Sequence, residues 1–242
     1  MTTAPASLDG RRPARRLLVA GLVVVVLLVG AVLLFALRDE LGLNGKTAEM
    51  VVGSGVVATE PRDVESFGVI ELAGTSNVTV RLGGDRSVVV EADDNLVPLI
   101  ETDVRDAVLV VSTHGSFTTA NEMRVLVTVP VLGGIRLSGT GALDIEGIKG
   151  ITFDVVLSGS GALTASGSTD ELTASVSGVG TALLDRLEAS HVVAIASDTG
   201  NLEVRATDSL DATVSGTGTI LYSGHPTSVT RNVTGVGAIL ER

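Results

Sequence analysis

Six hydroxyl side chains recur at nearly equal intervals in the second half of this 242-residue chain. A row of serines could serve nucleophilic catalysis if a histidine or another base lay beside it. These hydroxyls have no histidine next to them in the sequence, which favours a structural ladder of hydrogen bonds over a catalytic row. The predicted ladder comprises Ser138, Ser158, Ser177, Ser197, Ser215 and Thr234, and each is followed three residues later by a glycine, at Gly141, Gly161, Gly180, Gly200, Gly218 and Gly237.

Histidine and cysteine chemistry finds little support in the sequence. His114, His191 and His225 form neither a His-x-x-x-His nor a His-Glu-x-x-His pattern, so a zinc hydrolase is not indicated. The chain has no cysteine, which excludes disulfides, thiolate catalysis and metal sites built from cysteine. We therefore predict no catalytic residue and no cofactor.

One acidic stretch, residues 91–106, could bind a cation. Hard cations such as Ca²⁺ prefer several carboxylate oxygens, and Asp93, Asp94 and Asp103 are the candidate ligands. The spacing does not match an EF-hand loop, because the required glycine and the terminal glutamate are missing. A solvated acidic loop is the favoured interpretation and a calcium site is the alternative.

The corner hydroxyls belong to a repeat whose copies begin 20, 19, 20, 18 and 19 residues apart. Such a period is typical of a solenoid, in which each coil buries its apolar side against its neighbours. Apolar residues alternate on both sides of each Ser-Gly-x-Gly phrase, as at Leu143 and Ile145, which indicates two strands per coil. We predict an all-β parallel β-helix with regular coils of roughly 19 residues over 137–242, capped by the polar residues Arg231 and Glu241.

Residues 50–136 fit the same pattern more loosely. Ile70, Leu72, Val78 and Val80 match the inward positions of a regular coil, with a glycine at the corner between them. We interpret this region as the first, irregular coils of the same solenoid. A separate β-sandwich is the alternative.

The N-terminal segment predicts a membrane anchor. Residues 17–37 carry no charge and are long enough to cross a bilayer as one helix. The four arginines of residues 1–16 place that tail in the cytoplasm, and residues 38–49 form a polar stalk before an extracytoplasmic domain over 50–242. A cleaved signal peptide is the alternative, although the apolar run is longer than is typical of one.

Composition narrows the possible partners. The formal net charge is −11, and an acidic surface repels phosphate backbones, so we expect no nucleic-acid partner. The sequence has four Phe, one Tyr and no Trp, so its core must be aliphatic, as suits narrow β layers.

An ordered set of phrases links the chain to a known family. The set reads GSGVV at 53–57, VESFGVI at 64–70, GTSNVTV at 74–80, SVVVEADDNL at 87–96 and LSGTG at 137–141. This order resembles the GIN-domain family of auto-transporter adhesin heads, over about residues 50–242. The resemblance implies a right-handed β-helix and an adhesin-like role.

Together these features predict a membrane-anchored, extracytoplasmic, non-enzymatic module that binds a partner, either a cell-wall polymer or an envelope protein. A sensor or assembly component of an envelope complex is one alternative. A polysaccharide-acting β-helix enzyme is another, because β-helices often host lyases. Such an enzyme would need acidic and basic residues converging on one face. The sequence leaves the oligomeric state open.

Overall fold

Strands account for most of residues 50–242, the part of the chain that the computed structural model describes. No α-helix occurs within this range, and no helix in it is long and apolar enough to cross a membrane. The predicted cytoplasmic tail, membrane helix and stalk all lie outside the described residues. The strands are β1 Val51–Val52, β2 Val57–Arg62, β3 Val69–Leu72, β4 Asn77–Leu82, β5 Ser87–Asp93, β6 Ile100–Arg105, β7 Val108–Thr113, β8 Phe117–Thr118, β9 Arg124–Val129, β10 Gly134–Leu137, β11 Ala142–Leu157, β12 Ala162–Gly178, β13 Thr181–Asp198, β14 Asn201–Gly216, β15 Thr219–Ser223, β16 Ser228–Gly235 and β17 Ala238–Glu241.

The regular coils stack in parallel and in register. Strands β11 to β14 each pair with the next, and their inward residues form columns through a thin interior. One such column is Leu143, Leu163, Ala182, Leu202 and Ile220, all buried. Because neighbouring side chains on a strand point to opposite faces, the residues directly before and after each of these in the sequence point outward. The all-β solenoid is confirmed, with about five turns.

Each coil departs from the predicted two-strand plan at its second bend. Strands β11 to β14 run for 16 to 18 residues, from one Ser-Gly-x-Gly corner to the next, because hydrogen bonding to the neighbouring coil continues around the bend. Register shifts take up the curvature, for example between Ile145 and Ile148 and between Leu184 and Glu188. The Ser-Gly-x-Gly corner is therefore the only point at which these long strands break.

The strands of residues 50–136 other than β1 and β8, which form a separate two-stranded parallel sheet, join the sheet of the regular coils, but their levels are out of chain order. Strand β3 lies between β7 and β10, and β4 lies between β9 and β11, all in parallel. Ile70 is therefore aligned with Ile135 on one side and with Leu109 on the other. The level formed later in the chain, by β7 and β9, is the outer one, so these coils do not simply precede the regular ones.

Antiparallel strands close the N-terminal end of the stack. Strand β5 pairs with both β9 and β2, while β6 pairs with β7 in a hairpin. The hairpin turns at Asp106 and Ala107, which have φ angles of 50° and 60° and so match the twist of the two strands. Arg62 donates to the carbonyl oxygen of Val97 at 3.1 Å and ties β2 to the 3₁₀ turn Val97–Leu99.

The interior is one continuous, mostly aliphatic cluster, to which the last coils contribute Tyr222 and Ile239. The Tyr222 hydroxyl donates to Glu241 Oε2 at 3.0 Å, and the Arg231 guanidinium lies over the ring, 5.1 Å from its centroid. Arg231 also lies 3.9 Å from Glu241. The two polar residues predicted to cap the last coil therefore meet over a single aromatic ring.

Candidate functional site

The corner hydroxyls lie along one edge of the stack. The register aligns the later ones in the order Ser177, Ser197, Ser215 and Thr234. A direct bond joins Ser215 Oγ to Ser197 Oγ at 3.3 Å, and Ser138 donates to Glu71 Oε1 at 3.3 Å. The Ser158 amide donates to the Leu137 carbonyl oxygen of the preceding coil at 2.9 Å. These contacts hold neighbouring coils together.

Two further hydroxyls at the corners were missed at the variable third position of the phrase. Thr199 Oγ1 donates to the Gly178 carbonyl oxygen and Thr217 Oγ1 to that of Asp198, each at 3.3 Å. Both bonds reach from one coil to the preceding one and satisfy a corner carbonyl. A hydroxyl residue occupies this position in four of the six copies, and this recurrence in the sequence could have predicted the contacts.

The last glycine of each phrase is required by space. A Cβ atom on Gly161 would lie 2.2 Å from the Gly141 carbonyl oxygen, and one on Gly218 would lie 2.2 Å from that of Gly200. Neither residue has a positive φ. The backbones of adjacent coils therefore approach too closely at this corner for any side chain.

The three candidate calcium ligands do not converge. Asp93 is buried and accepts hydrogen bonds from Asn121 Nδ2 at 2.6 Å, Thr119 Oγ1 at 3.0 Å and the Gly55 amide at 3.2 Å. The Asn121 amide lowers the pKa of Asp93, the other two bonds lower it further, and desolvation opposes them.

The other two carboxylates have partners of their own. Asp94 accepts from Ser54 Oγ, and Asp103 forms an ion pair with Arg105 at 2.9 Å. Within residues 50–242 no group of three or more acidic or histidine side chains could hold a metal ion. Asp93 instead acts as a hydrogen-bonding centre that joins β5 to the loops around it.

The histidines lie at separate exposed places. His114 Nε2 lies 2.8 Å from Glu101 Oε2, and His191 Nδ1 lies 2.9 Å from Ser209 Oγ. His225 occupies a turn with a φ of 57°. His191 and His225 lie away from the serine corners in the register of the coils, whereas His114 lies 3.4 Å from Ser112 at the end of β7.

A groove crosses the outer face formed by the first halves of the long strands. It consists of two depressions, of about 380 Å³ and about 320 Å³, that both include Asp144. The larger one lies where the register shifts between Thr164 and Ser166 and where β13 bulges after Leu184, because the extra residues separate the strands. We call the combined depression the lateral groove.

The lateral groove follows a column of outward residues on consecutive coils. This column runs Leu126, Thr79, Asp144, Thr164, Leu183 and Glu203. Leu183 is 36% exposed and gives the larger depression an apolar floor. Sequence analysis missed this site because its residues come from separate coils, although the outward positions of the repeat could have been aligned into the same column.

Charges of both signs line the lateral groove. Arg81 pairs with Glu146 at 3.6 Å, and Arg242 pairs with Glu203 at 2.9 Å. Asp144 accepts a hydrogen bond from Thr164. Asp185 and Arg186 also line the groove, and no ion pair involves either of them within residues 50–242.

Comparison with known families shows which family the chain belongs to. The family model described as "Putative auto-transporter adhesin, head GIN domain" matches residues 66–226. The chain belongs to the GIN-domain family. The crystal structure of a "putative adhesin" from Bacteroides fragilis NCTC 9343 is 26% identical to it, with a TM-score of 0.67. The match covers 79% of this chain and 100% of that one, so the crystallised relative is a folded chain of about this extent.

A more distant structure shares the architecture of this GIN domain. It is a "putative lipid binding protein" from Parabacteroides distasonis ATCC 8503, with 18% identity and a TM-score of 0.51, covering 80% of this chain and 100% of the other. At this level of identity the match shows the fold alone. Comparison with curated protein sequences finds no significant match.

Proposed function

We propose that this GIN domain is a non-enzymatic surface module that binds a wall polymer or an envelope protein in the lateral groove. The observation that carries the proposal is a groove spanning several coils of a hydrogen-bonded stack. A stacked solenoid offers an extended and stiff surface, which suits the binding of a long partner. The adhesin description of the family and of its Bacteroides fragilis relative supports this role.

The ion pairs and hydrogen bonds of the groove carboxylates favour a role in binding over a role in catalysis. Glu146 and Glu203 are paired with arginines, and Asp144 accepts from a threonine. Such side chains are held in place as recognition groups. The serine corners lie at another edge of the coils and do not line the groove.

We further propose that residues 17–37 anchor the domain in the cell membrane. The support is the length of the uncharged run and the arginines that precede it, which favour a cytoplasmic N-terminus. Residues 50–242 would then face outward, behind the polar stalk at 38–49. We also retain the right-handed sense of the coil, which the family resemblance implies.

Co-sedimentation with isolated cell envelopes tests the binding proposal. Purified residues 50–242 should sediment with the envelopes, and Leu183→Trp should abolish most of that binding by filling the groove floor. The matched control is Val193→Trp, because Val193 is 43% exposed on the outward column of the opposite face. Equal binding by both variants, or none by the wild type, would overturn the proposal.

Reporter fusions test the anchor separately. An enzyme that is active only outside the cytoplasm should be active when fused after Arg242, in the membrane fraction. Deletion of residues 17–37 should remove both the membrane location and the activity. Full activity in the soluble fraction of cells carrying the intact chain would contradict the anchor.

A further inference from the structure

We propose that the lateral groove receives an extended peptide segment that carries cationic side chains. This inference rests on the proposed function and names the chemistry of its partner. It depends on the shape of the groove, the apolar floor beside its acidic residues and the carboxylates that remain available.

The length of the groove suits an extended chain. Its residues come from β9, β4, β11, β12, β13 and β14, which lie side by side. Five strand spacings correspond to about 24 Å, which is the length of about seven residues of extended peptide. A partner of this length could lie across the coils and touch each of them once.

The floor and walls of the larger depression suit a long cationic side chain. Leu183 supplies an apolar surface, and Asp144, Glu146 and Asp185 are among the residues that line the same depression. Lysine and arginine carry an apolar stem and a charged end, so the stem can cover Leu183 while the cation reaches a carboxylate.

The available charge in the groove is negative. Glu146 and Glu203 already have arginine partners. Among the other charges of the larger depression, Asp144 has only the Thr164 hydroxyl, and Asp185 and Arg186 have no ion-pair partner within residues 50–242, so two available carboxylates face one available guanidinium. Asp144 lies where the two depressions meet, so it would pair with a cationic side chain near the middle of the bound peptide. Electrostatic complementarity of this kind determines which partners dock and which are repelled.

A cationic peptide fits this surface better than a sugar chain does. No aromatic side chain lines either depression, so the groove offers no aromatic face against which a sugar ring could stack. Negatively charged polymers would meet unpaired carboxylates. A polysaccharide partner is therefore an outcome that the experiment must be able to reveal.

Fluorescence anisotropy with a synthetic probe tests the inference. The probe is a labelled peptide of about eight residues in which lysine alternates with serine, so that it spans the groove. Its control has glutamate in place of every lysine. Residues 50–242 should bind the lysine peptide and not the glutamate peptide, and binding should weaken as salt is added.

Substitutions then locate the binding site. The double variant Asp144→Asn with Asp185→Asn should weaken binding of the lysine peptide by about five- to ten-fold, as expected for two partly exposed ion pairs. The matched control is Asp154→Asn with Asp211→Asn, two exposed aspartates on the opposite face, which should change it less than two-fold. Thermal melting checks that both double variants remain folded.

Three results would overturn the inference. These are equal binding of the two peptides, equal weakening by the two double variants, and absence of binding to the lysine peptide. If envelope binding still depends on Leu183 while the lysine peptide fails to bind, the proposed function stands and only the peptide assignment falls. Competition for the groove by an oligosaccharide released from the envelope, with no binding of the lysine peptide, would identify a sugar partner instead.

Discussion

Strands β11 to β14 each contact the strand before and the strand after them in the sequence, whereas β3 lies between β7 and β10. The N-terminal levels therefore depend on contacts between distant parts of the chain. In the regular coils a repeated phrase determines each corner, and mostly aliphatic columns fill the interior. In residues 50–136 antiparallel pairs and the buried Asp93 carry out part of that role.

The comparison shows that one core can be built both by stacking of sequential coils and by pairing between distant parts of the chain. Nearest-neighbour stacking needs only a repeated pattern, because each coil is a template for the next. An end of the stack needs something else, since a regular coil would leave a sheet edge open to other chains. The antiparallel strands provide that end at one side. At the other, β16 and β17 are the edge strands of residues 50–242, and the polar residues around Tyr222 cover the end of the core.

The largest effect is expected from a side chain at a regular corner. Gly161→Val would place carbon atoms within 2.2 Å of a backbone carbonyl oxygen, so two coils would have to separate. We expect a loss of more than about 3 kcal/mol in the free energy of unfolding, measured by urea denaturation.

The matched control for this glycine is Gly150→Val. Its Cβ would lie 3.7 Å from the nearest atom, the Thr152 carbonyl oxygen, on an exposed part of β11. This variant should change the free energy of unfolding by less than about 0.5 kcal/mol, because valine is also well suited to a strand. Similar losses for both variants would show that the corner is looser than the structure indicates.

A slightly smaller effect tests whether the out-of-order level belongs to the core. Leu72 is 0% exposed and is aligned with Leu137 on one side and Val111 on the other. Leu72→Ala should cost about 2–5 kcal/mol in the free energy of unfolding, as for a truncated core residue. Val156→Ala, at an outward position that is 39% exposed, should cost less than about 1 kcal/mol. A mild effect of Leu72→Ala would indicate that this level can detach from the stack.

Asp93 distinguishes the N-terminal region by its pH dependence. Its pKa is lowered in the folded protein, so it stabilises the fold above the pKa of an unfolded aspartate, and this contribution is lost as the pH falls through the lowered value. Asp93→Asn should lower the melting temperature most at neutral pH, and the difference should shrink below about pH 4. Asp154→Asn is the exposed control. A difference for Asp93→Asn that stays constant from neutral to acidic pH would contradict the assignment.

The regular coils could be predicted from the sequence because the alternation of apolar residues and the spacing of the corners are visible within short stretches of the chain. Sequence analysis also aligned Ile70 and Leu72 with the correct inward columns. It could not give the order of the levels, since nothing near Gly74 specifies which coil will lie beside it. The turn at Asp106 and Ala107 lacks the glycine or asparagine that usually marks such a hairpin.

The column of the lateral groove could have been aligned from the repeat, but its depth could not be predicted, for a related reason. Its depth comes from the extra residues that β13 carries after Leu183 relative to both β12 and β14, and such register shifts arise from how coils of unequal length fit together. The calcium candidates failed to converge because the hairpin carries Asp103 away from the network that surrounds Asp93. Both features depend on pairing between elements that no single stretch of sequence encodes.

The smallest effect is expected at the C-terminal cap, where Arg231→Ala removes the cation over Tyr222. We expect a loss of about 0.5–1 kcal/mol, because the contact is partly exposed to solvent. Arg205→Ala is the matched control, since it breaks an exposed ion pair of 2.9 Å with Glu188 on the outward side of β14, whereas Tyr222 is buried. The chain has one tyrosine and no tryptophan, so tyrosine emission reports this end of the stack alone. Emission should change in Arg231→Ala before global unfolding and stay unchanged in Arg205→Ala. An identical response of the two variants would mean that the arginine does not close the core, and that the regular coils tolerate an open end.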